Sequence, residues 1–156
     1  MDILKKLALL IGLFSLTACQ TITHKVVENE HSYNENITFN TSKIFESQTI
    51  GEGRGNWRSS PRYKFVTLYV NVKNNSHNEQ KIDFDDFYLH DESKRKKYRS
   101  KFTFYNLSAL GPNVRSPFQE IIPANSRITR KLVYPFPQEV SPNRLIVKDK
   151  VIKIEW

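Results

Sequence analysis

FVTLYVNVK, the run from Phe65 to Lys73, alternates between aliphatic and mixed residues with a period of two. The aliphatic side chains all fall at even positions: Val66, Leu68, Val70 and Val72. This is the period of a β-strand that buries one face, and the turn-forming residues from Asn74 to Asn78 end it. We therefore predict a strand over 65–73 that contributes its aliphatic face to a core.

Other segments on both sides of this run also have the character of strands. On the amino-terminal side, Ile37–Ser47 is predicted as the first strand. On the carboxyl-terminal side, the predicted strands are 82–89, 98–105, 127–134 and 144–156. Pro135 and Pro137 are expected to stop the strand that starts at Arg127, because proline lacks the N–H that a ladder needs. No amphipathic helix of more than two turns is predicted after the first 18 residues.

Two of these segments change the parity of their apolar residues. Ile82 and Phe84 share one parity with each other, whereas Phe87 and Leu89 share the opposite one, so a kink or bulge is predicted at Asp85-Asp86. The final segment changes parity near Lys148–Lys150, which predicts a second bulge or a tight hairpin there. Short strands separated by turns, with no alternating helices, predict an all-β fold, either a sandwich or a barrel.

The region from about Tyr63 to Trp156 also carries a recognisable order of features. The strand at 65–76 is followed by an aspartate-rich segment with buried aromatics at 83–89, by a charged turn at Lys97-Tyr98, and by a proline-led turn at 122–128. This pattern resembles the telokin-like, immunoglobulin-fold domain of many bacterial secreted lipoproteins and of a mycobacterial immunoprotective antigen. The resemblance implies an immunoglobulin-like antiparallel β-sandwich. It implies no catalytic residues, because the family has none in common.

The amino terminus has the form of an export signal. Met1 to Lys6 is a short cationic start, 7–15 is an apolar run, and Leu16-Thr17-Ala18 leads to Cys19, which is the single cysteine of the chain. This pattern resembles the lipobox of bacterial lipoproteins, in which the cysteine is diacylated and the chain is cut before it. The alternative is an ordinary secretory signal with a cysteine that happens to lie near the cut. We predict lipid attachment at Cys19, which would anchor the protein to a membrane.

The lipobox divides the chain into three predicted parts. Residues 1–18 are a cleaved lipoprotein signal peptide, 19–35 are the acylated cysteine and a flexible polar tether, and 36–156 are the sandwich domain. The predicted location is the bacterial cell envelope. Gln20 follows the cysteine, and by resemblance this favours the periplasmic face of the outer membrane in a cell with two membranes. The choice between inner and outer membrane stays open, as does the oligomeric state.

The positive net charge of the chain indicates which classes of partner it favours. The precursor carries +8, and the part after residue 18 carries +7, since Asp2, Lys5 and Lys6 are lost. Such a charge favours an anionic lipid or glycan or an acidic envelope protein, although it also serves solubility alone. Nucleic acid is not an expected partner of an exported lipoprotein. With one cysteine, no intramolecular disulfide forms, so stability has to come from a buried core.

Two segments are candidates for binding a partner. The segment 51–58 has three alternating glycines and reads as a mobile surface loop, with Trp57 flanked by Arg54, Arg58 and Arg62. The alternative is a connector whose tryptophan folds back on the core. The densest basic cluster is predicted to be an exposed hairpin tip that either docks on an anionic surface or is simply solvated; its residues are Lys94, Arg95, Lys96 and Lys97.

The sequence contains no recognisable catalytic or metal-binding motif. The histidines at 24, 31, 77 and 90 lack the spacing of a zinc site, and the aspartates at 83–91 lack the glycine-bearing loop of a calcium site. We therefore expect no metal, no cofactor and no enzymatic activity. A non-enzymatic binding module of the envelope is the preferred function, and an inhibitor, an immunity protein or an assembly factor acting on an envelope protein is the alternative.

Overall fold

The computed structural model describes residues 23–24, 29–52, 55–107 and 113–154. This part of the chain forms fourteen β-strands and a short 3-10 helix, η1, between β7 and β8. The strands are β1 Thr23–His24, β2 His31–Ser32, β3 Ile37–Ser47, β4 Thr49–Glu52, β5 Gly55–Arg58, β6 Tyr63–Asn74, β7 Gln80–Asp83, β8 Phe87–Asp91, β9 Lys96–Arg99, β10 Phe102–Tyr105, β11 Gln119–Ile122, β12 Arg127–Pro137, β13 Arg144–Val147 and β14 Lys150–Lys153, and η1 is Phe84–Asp86.

The strands form an antiparallel β-sandwich, as the sequence predicted. The larger sheet has the order β1-β3-β6-β12-β10, with β2 also paired to β3, and the smaller sheet has the order β14-β13-β8-β9. Two further pairs, β7–β11 and β4–β5, complete the described strands. The predicted strand at 65–73 is β6, at the centre of the larger sheet, and its four aliphatic residues lie in the main core together with Leu89 and Leu145 of the smaller sheet. No helix among these residues is long and apolar enough to cross a membrane.

A β-bulge in β3 decides which of its side chains face the core. The cross-strand partners run from Ile37 opposite Asn74 to Thr41 opposite Val70, and pairing then resumes with Lys43 opposite Tyr69. Ser42 is therefore an extra residue, and it reverses the parity of the strand. As a result Phe39 and Ile44 are both buried in the main core, although one is odd-numbered and the other even-numbered. The same bulge places Lys43 and Phe45 on the outer face of the larger sheet.

The predicted end of the strand at Pro135 is wrong, because β12 continues to Pro137. Neighbouring strand β10 pairs with β12 only as far as Val133, whose carbonyl accepts a hydrogen bond from the backbone N–H of Lys101. Residues 133, 135 and 137 share one parity, so their backbone groups point away from β6. Beyond Val133 none of the described strands pairs on that side, and the two prolines therefore cost the β6–β12 ladder nothing.

Both predicted changes of parity are confirmed, and each has its own geometry. At Asp85-Asp86 the chain forms η1, capped by the Asp83 side chain, which accepts a hydrogen bond from the backbone N–H of Asp85 at 2.9 Å. Near Lys148 the chain makes a tight hairpin between β13 and β14, with Lys148 at a φ of 52°.

The single strand predicted over 98–105 is instead two strands in different sheets. Strand β9 ends at Arg99 and pairs with β8 in the smaller sheet, while β10 begins at Phe102 and pairs with β12 in the larger one. The chain crosses between the sheets at Ser100 and Lys101. Alternation alone does not report such a crossing, because the buried aromatic residues on its two sides, Tyr98, Phe102 and Phe104, all fall at even positions.

The folded unit begins earlier than the predicted domain boundary at residue 36. Tyr33 belongs to the main core, and its ring stacks on that of Phe87 with centroids 6.0 Å apart. In addition, His31 and Ser32 pair with Phe39 and Thr38 as β2. Thr23 and His24 pair with Phe45 and Ile44 as β1. Both short strands and Tyr33 lie in the predicted tether, 19–35, and are part of the sandwich. The polar composition of this segment gave no sign that it belongs to the fold, because Tyr33 is its one described residue in the main core.

Candidate functional site

The segment around Trp57 forms a β-hairpin rather than the loop that its glycines suggested. Strands β4 and β5 pair from Thr49 opposite Arg58 to Glu52 opposite Gly55. Trp57 lies opposite Ile50, and Ile50 packs in a small second core with Phe65, Phe102, Phe104 and Val133. Since this core lies on the outer face of the larger sheet, the hairpin covers one end of that face.

Trp57 combines burial against this core with substantial exposure. Its ring lies 5.4 Å from the ring of Phe102, yet 43% of the residue remains exposed. The ammonium group of Lys101 lies 5.8 Å from the Trp57 ring, and the guanidinium of Arg115 lies 5.6 Å from it. Arg115 also lies 4.6 Å from the ring of Phe102. Trp57 therefore has one aromatic and two cationic neighbours although much of it is exposed.

The predicted basic cluster lies at the far end of the β8–β9 hairpin. Lys94 and Arg95 are in the turn, while Lys96 and Lys97 begin β9, and all four are exposed. Arg95 has a φ of 50°, and Lys94 forms an ion pair of 3.5 Å with Glu139. Lys101 lies at the opposite end of β9 from this turn. The Trp57 surface and the basic tip therefore lie at opposite ends of that four-residue strand, which is roughly 13 Å long.

The remaining predicted binding residues divide between these two places. Arg58 is exposed at the end of β5, on the Trp57 hairpin. Arg62 is exposed near the basic tip, since its carbonyl accepts a hydrogen bond from the backbone N–H of Gln138, the residue before the Lys94 partner Glu139. Arg54 and the predicted lipid-attachment residue Cys19 lie outside the described residues.

A second polar and aromatic arrangement, not singled out from the sequence, crosses the outer face of the larger sheet. Cross-strand pairing puts Lys43, Tyr69, Lys131 and Phe104 in one row across β3, β6, β12 and β10. The ammonium groups of Lys43 and Lys131 lie 5.8 and 5.5 Å from the Tyr69 ring, on either side of it in the row. Alternation along β12 puts Lys131 on the outer face, but only the register and the bulge bring Lys43 beside the same tyrosine.

This row opens into a pocket under the β4–β5 hairpin. The pocket has a volume of about 210 Å³, and its lining includes Phe45, Thr67, Tyr69, Phe104, Asn113 and Lys131. Asn113 links two of its walls, because its amide nitrogen donates to the carbonyl of Gly51 at 2.6 Å and its amide oxygen accepts from the Lys131 ammonium at 3.1 Å. Burial, followed by repulsion from Lys43, lowers the pKa of the Lys131 ammonium.

The acidic side chains of the 83–91 segment are occupied in structural roles. Asp83 caps η1, Asp86 accepts a hydrogen bond of 2.6 Å from the Tyr33 hydroxyl, and Asp91 accepts from the Ser93 hydroxyl at 2.6 Å. Among the described residues, no three histidine, cysteine or acidic side chains are arranged so that they could hold a metal ion.

Comparison with known proteins gives structural similarity only. No protein-family profile matches the chain, and no curated protein matches it in sequence. A conserved hypothetical protein of Bacillus anthracis is similar in structure, with a TM-score of 0.65 and 13% identity over 89% of this chain and 100% of that protein. An uncharacterised β-sandwich protein of Clostridium difficile has a TM-score of 0.51 and 10% identity over 77% of this chain and 82% of that protein.

A Bacillus subtilis protein described provisionally as a lipoprotein has a TM-score of 0.45 and 13% identity, covering 81% of this chain and 37% of that protein. A similarity at this level supports no argument about the present chain. The two stronger similarities show that the chain shares its β-sandwich fold with bacterial proteins of uncharacterised activity. They say nothing of what the fold binds.

Proposed function

We propose that this protein is a lipid-anchored lipoprotein of the bacterial cell envelope and that its sandwich is a non-enzymatic binding module. The anchor is Cys19, acylated after removal of residues 1–18, and the domain is of the telokin-like kind that its sequence pattern resembles. Two acyl chains on one cysteine hold a protein stably on a membrane, whereas one chain does not. Gln20 favours the periplasmic face of the outer membrane where the cell has two membranes.

The observation that carries the binding proposal is the setting of Trp57. Trp57 is 43% exposed, which costs free energy in water, and its ring packs against Phe102 with Lys101 and Arg115 beside it. Tryptophan and arginine dominate the energetic centres of protein interfaces, and a side chain that is already ordered loses little entropy on binding. The surface thus fits an envelope protein that presents an acidic rim around an apolar pocket.

The anchor is tested by changing Cys19 to Ser. The unchanged protein should sediment with the membrane fraction, and Cys19→Ser should leave it, because no acyl chain attaches to serine by this route. The basic tip offers a second attraction to anionic lipid, so the fractionation is repeated in high salt, which screens charge but not acyl chains. A Cys19→Ser variant that remains in the membrane fraction at high salt would refute the anchor.

The partner surface is tested by affinity capture from envelope extract. We expect one envelope protein to be enriched by the unchanged chain and lost with Trp57→Ala, since truncation of a central aromatic costs about 2 kcal/mol or more in binding. Ile121→Ala is the matched control, because Ile121 is also a large exposed apolar residue, at 62% exposure, and lies on β11. Equal capture by Trp57→Ala, or equal loss with Ile121→Ala, would count against the Trp57 surface. Enrichment of glycan or lipid in place of a protein would also contradict it.

A further inference from the structure

The pocket under the β4–β5 hairpin contains a charge that the described residues leave uncompensated. Lys131 is 9% exposed, and its ammonium contacts the Asn113 amide oxygen and the face of Tyr69. Its charged neighbour in the row is Lys43, which carries the same sign. Among the side chains that the structure describes, neither lysine has a carboxylate partner within ion-pair distance, although buried lysines ordinarily have one.

The walls of the pocket are suited to a ring. Phe45 and Tyr69 lie side by side with ring centroids 6.0 Å apart, and Phe104 is fully buried at the end of the row. Burial raises the pKa of the Tyr69 hydroxyl, so that it stays protonated and able to donate. A pocket of about 210 Å³ is smaller than the usual site of a drug-sized ligand and matches a single compact group.

From this geometry we infer that the pocket binds a compact oxyanion, a carboxylate or a phosphate, carried on a sugar-sized ring. The anion lies between the ammonium of Lys131, which lines the pocket, and that of Lys43, which borders it 5.6 and 5.8 Å from the rings of Phe45 and Tyr69. The sugar-sized ring rests on those two aromatic side chains. Asn113 acts as a positioning residue, because it ties the Lys131 ammonium to the hairpin that roofs the pocket. This site goes beyond the proposed partner surface, since neither Trp57 nor Lys101 lines it.

Three physical reasons support an anion rather than a neutral ligand. A bound oxyanion offsets the repulsion between Lys43 and Lys131. It also replaces the water contacts that the Lys131 ammonium loses on burial. Finally, it forms charge-assisted hydrogen bonds, which are stronger in a half-enclosed site than in water. Burial and the neighbouring charge of Lys43 lower the pKa of Lys131. Keeping this ammonium charged therefore costs free energy while the pocket is empty. A site that stores such a cost gains more from a complementary charge than from a hydroxyl.

The test is calorimetric titration of the full-length protein, held in a neutral detergent, with glucuronate, glucose 6-phosphate and glucose. At least one of the two anions should bind, and whichever binds more tightly identifies the source of the oxyanion. Glucose should bind at least about tenfold more weakly, because it lacks the charge. Lys131→Met and Lys43→Met should each weaken anion binding by about tenfold or more. Lys73→Met, on the same outer face but outside this pocket, should leave it unchanged.

A second readout separates a binding role from a purely structural one. The Lys131 side chain, followed by its Cε resonance in NMR, should titrate at a higher pH when the bound anion is present than when it is absent. Lys131→Met should retain the thermal stability of the unchanged protein or exceed it, because it removes an uncompensated buried charge. Failure of both anions to bind, equal affinity for glucose, or anion binding unchanged by Lys131→Met would overturn the inference. None of these results bears on the Trp57 surface, which is tested by its own variants.

Discussion

At the scale of single residues, the sandwich depends on polar groups placed where the sequence shows only a tether. The Tyr33 hydroxyl donates to Asp86 at 2.6 Å and accepts from the backbone N–H of Asp83 at 3.2 Å. Its ring lies under the ammonium of Lys148, 3.7 Å from the centroid. Tyr33 therefore fastens the segment between β2 and β3 to η1 and to the β13–β14 hairpin.

Removing that hydroxyl should destabilise the domain. We expect Tyr33→Phe to lower the free energy of unfolding by about 1–2 kcal/mol, because Asp86 and the Asp83 N–H both lose a partner in a largely buried place. Urea denaturation followed by fluorescence measures the change. Tyr63→Phe is the control, since Tyr63 is 47% exposed and its loss should cost less than about 0.5 kcal/mol. Equal effects of the two substitutions would contradict this role of Tyr33.

His31 should make stability depend on pH. Burial against the sandwich, followed by the charge of Lys150, lowers its pKa from the ordinary 6.5. The folded state therefore binds fewer protons than the unfolded state, and this contribution to stability is present above pH 6.5 and is lost as the pH falls below it. Urea midpoints measured between about pH 8 and pH 5 should fall more in the unchanged protein than in His31→Gln. Lys150→Met should reduce the pH dependence of stability in part. Identical pH profiles for all three proteins would rule out this role of His31.

At the scale of elements, what the sequence could predict depended on how far apart the interacting residues are in the chain. The alternation of β6 and the two parity changes at Asp85-Asp86 and Lys148 are local signals, and each was interpreted correctly. The crossing at Ser100 and the continuation of β12 through Pro135 depend on which strand lies alongside, which the sequence of one strand does not contain. The row that joins Lys43 to Lys131 depends on the β3–β6 register, the β6–β12 register and the bulge in β3. The sequence alone could therefore not predict it.

Deleting Ser42 tests the role of the bulge in β3. Without the extra residue, either Ile37 and Phe39 or Ile44 has to face outward, and each of these side chains is now buried. Exposing even one of them costs about 2–3 kcal/mol, which corresponds to a fall in melting temperature of about 5 °C or more. Thermal unfolding by circular dichroism measures it. Ser42→Ala keeps the bulge and should change the melting temperature little, and a deletion as mild as this control would contradict the account.

At the scale of the whole molecule, the two proposed surfaces share one architectural cause. The side chains on the inner face of the larger sheet are buried in the main core, so residues that bind a ligand or a partner have to lie on its outer face. The β4–β5 hairpin covers one end of that outer face. Composition predicted the fold class and the need for a core without disulfides. Composition also pointed to the basic tip, because a cluster of charges along the chain is visible in the sequence. Lys43 and Lys131 are close to each other only in space, so the sequence did not reveal them.

The position of β1 limits how far the sandwich could lie from a membrane to which Cys19 is attached. The larger sheet begins at Thr23 of β1, four residues after Cys19, so the chain between them reaches at most about 14 Å. A reach this short would hold the sandwich close to the bilayer, provided that Cys19 is the point of attachment. The location in the envelope therefore rests on the chemistry of one sulfur.

Intact-mass spectrometry of the protein purified from the membrane fraction tests this most directly. The account predicts a chain that begins at Cys19 and carries the added mass of a diacylglyceryl group, with or without a third acyl chain on its amino group. A chain that begins at Met1 with an unmodified cysteine, or one cut elsewhere with no added lipid mass, would contradict it.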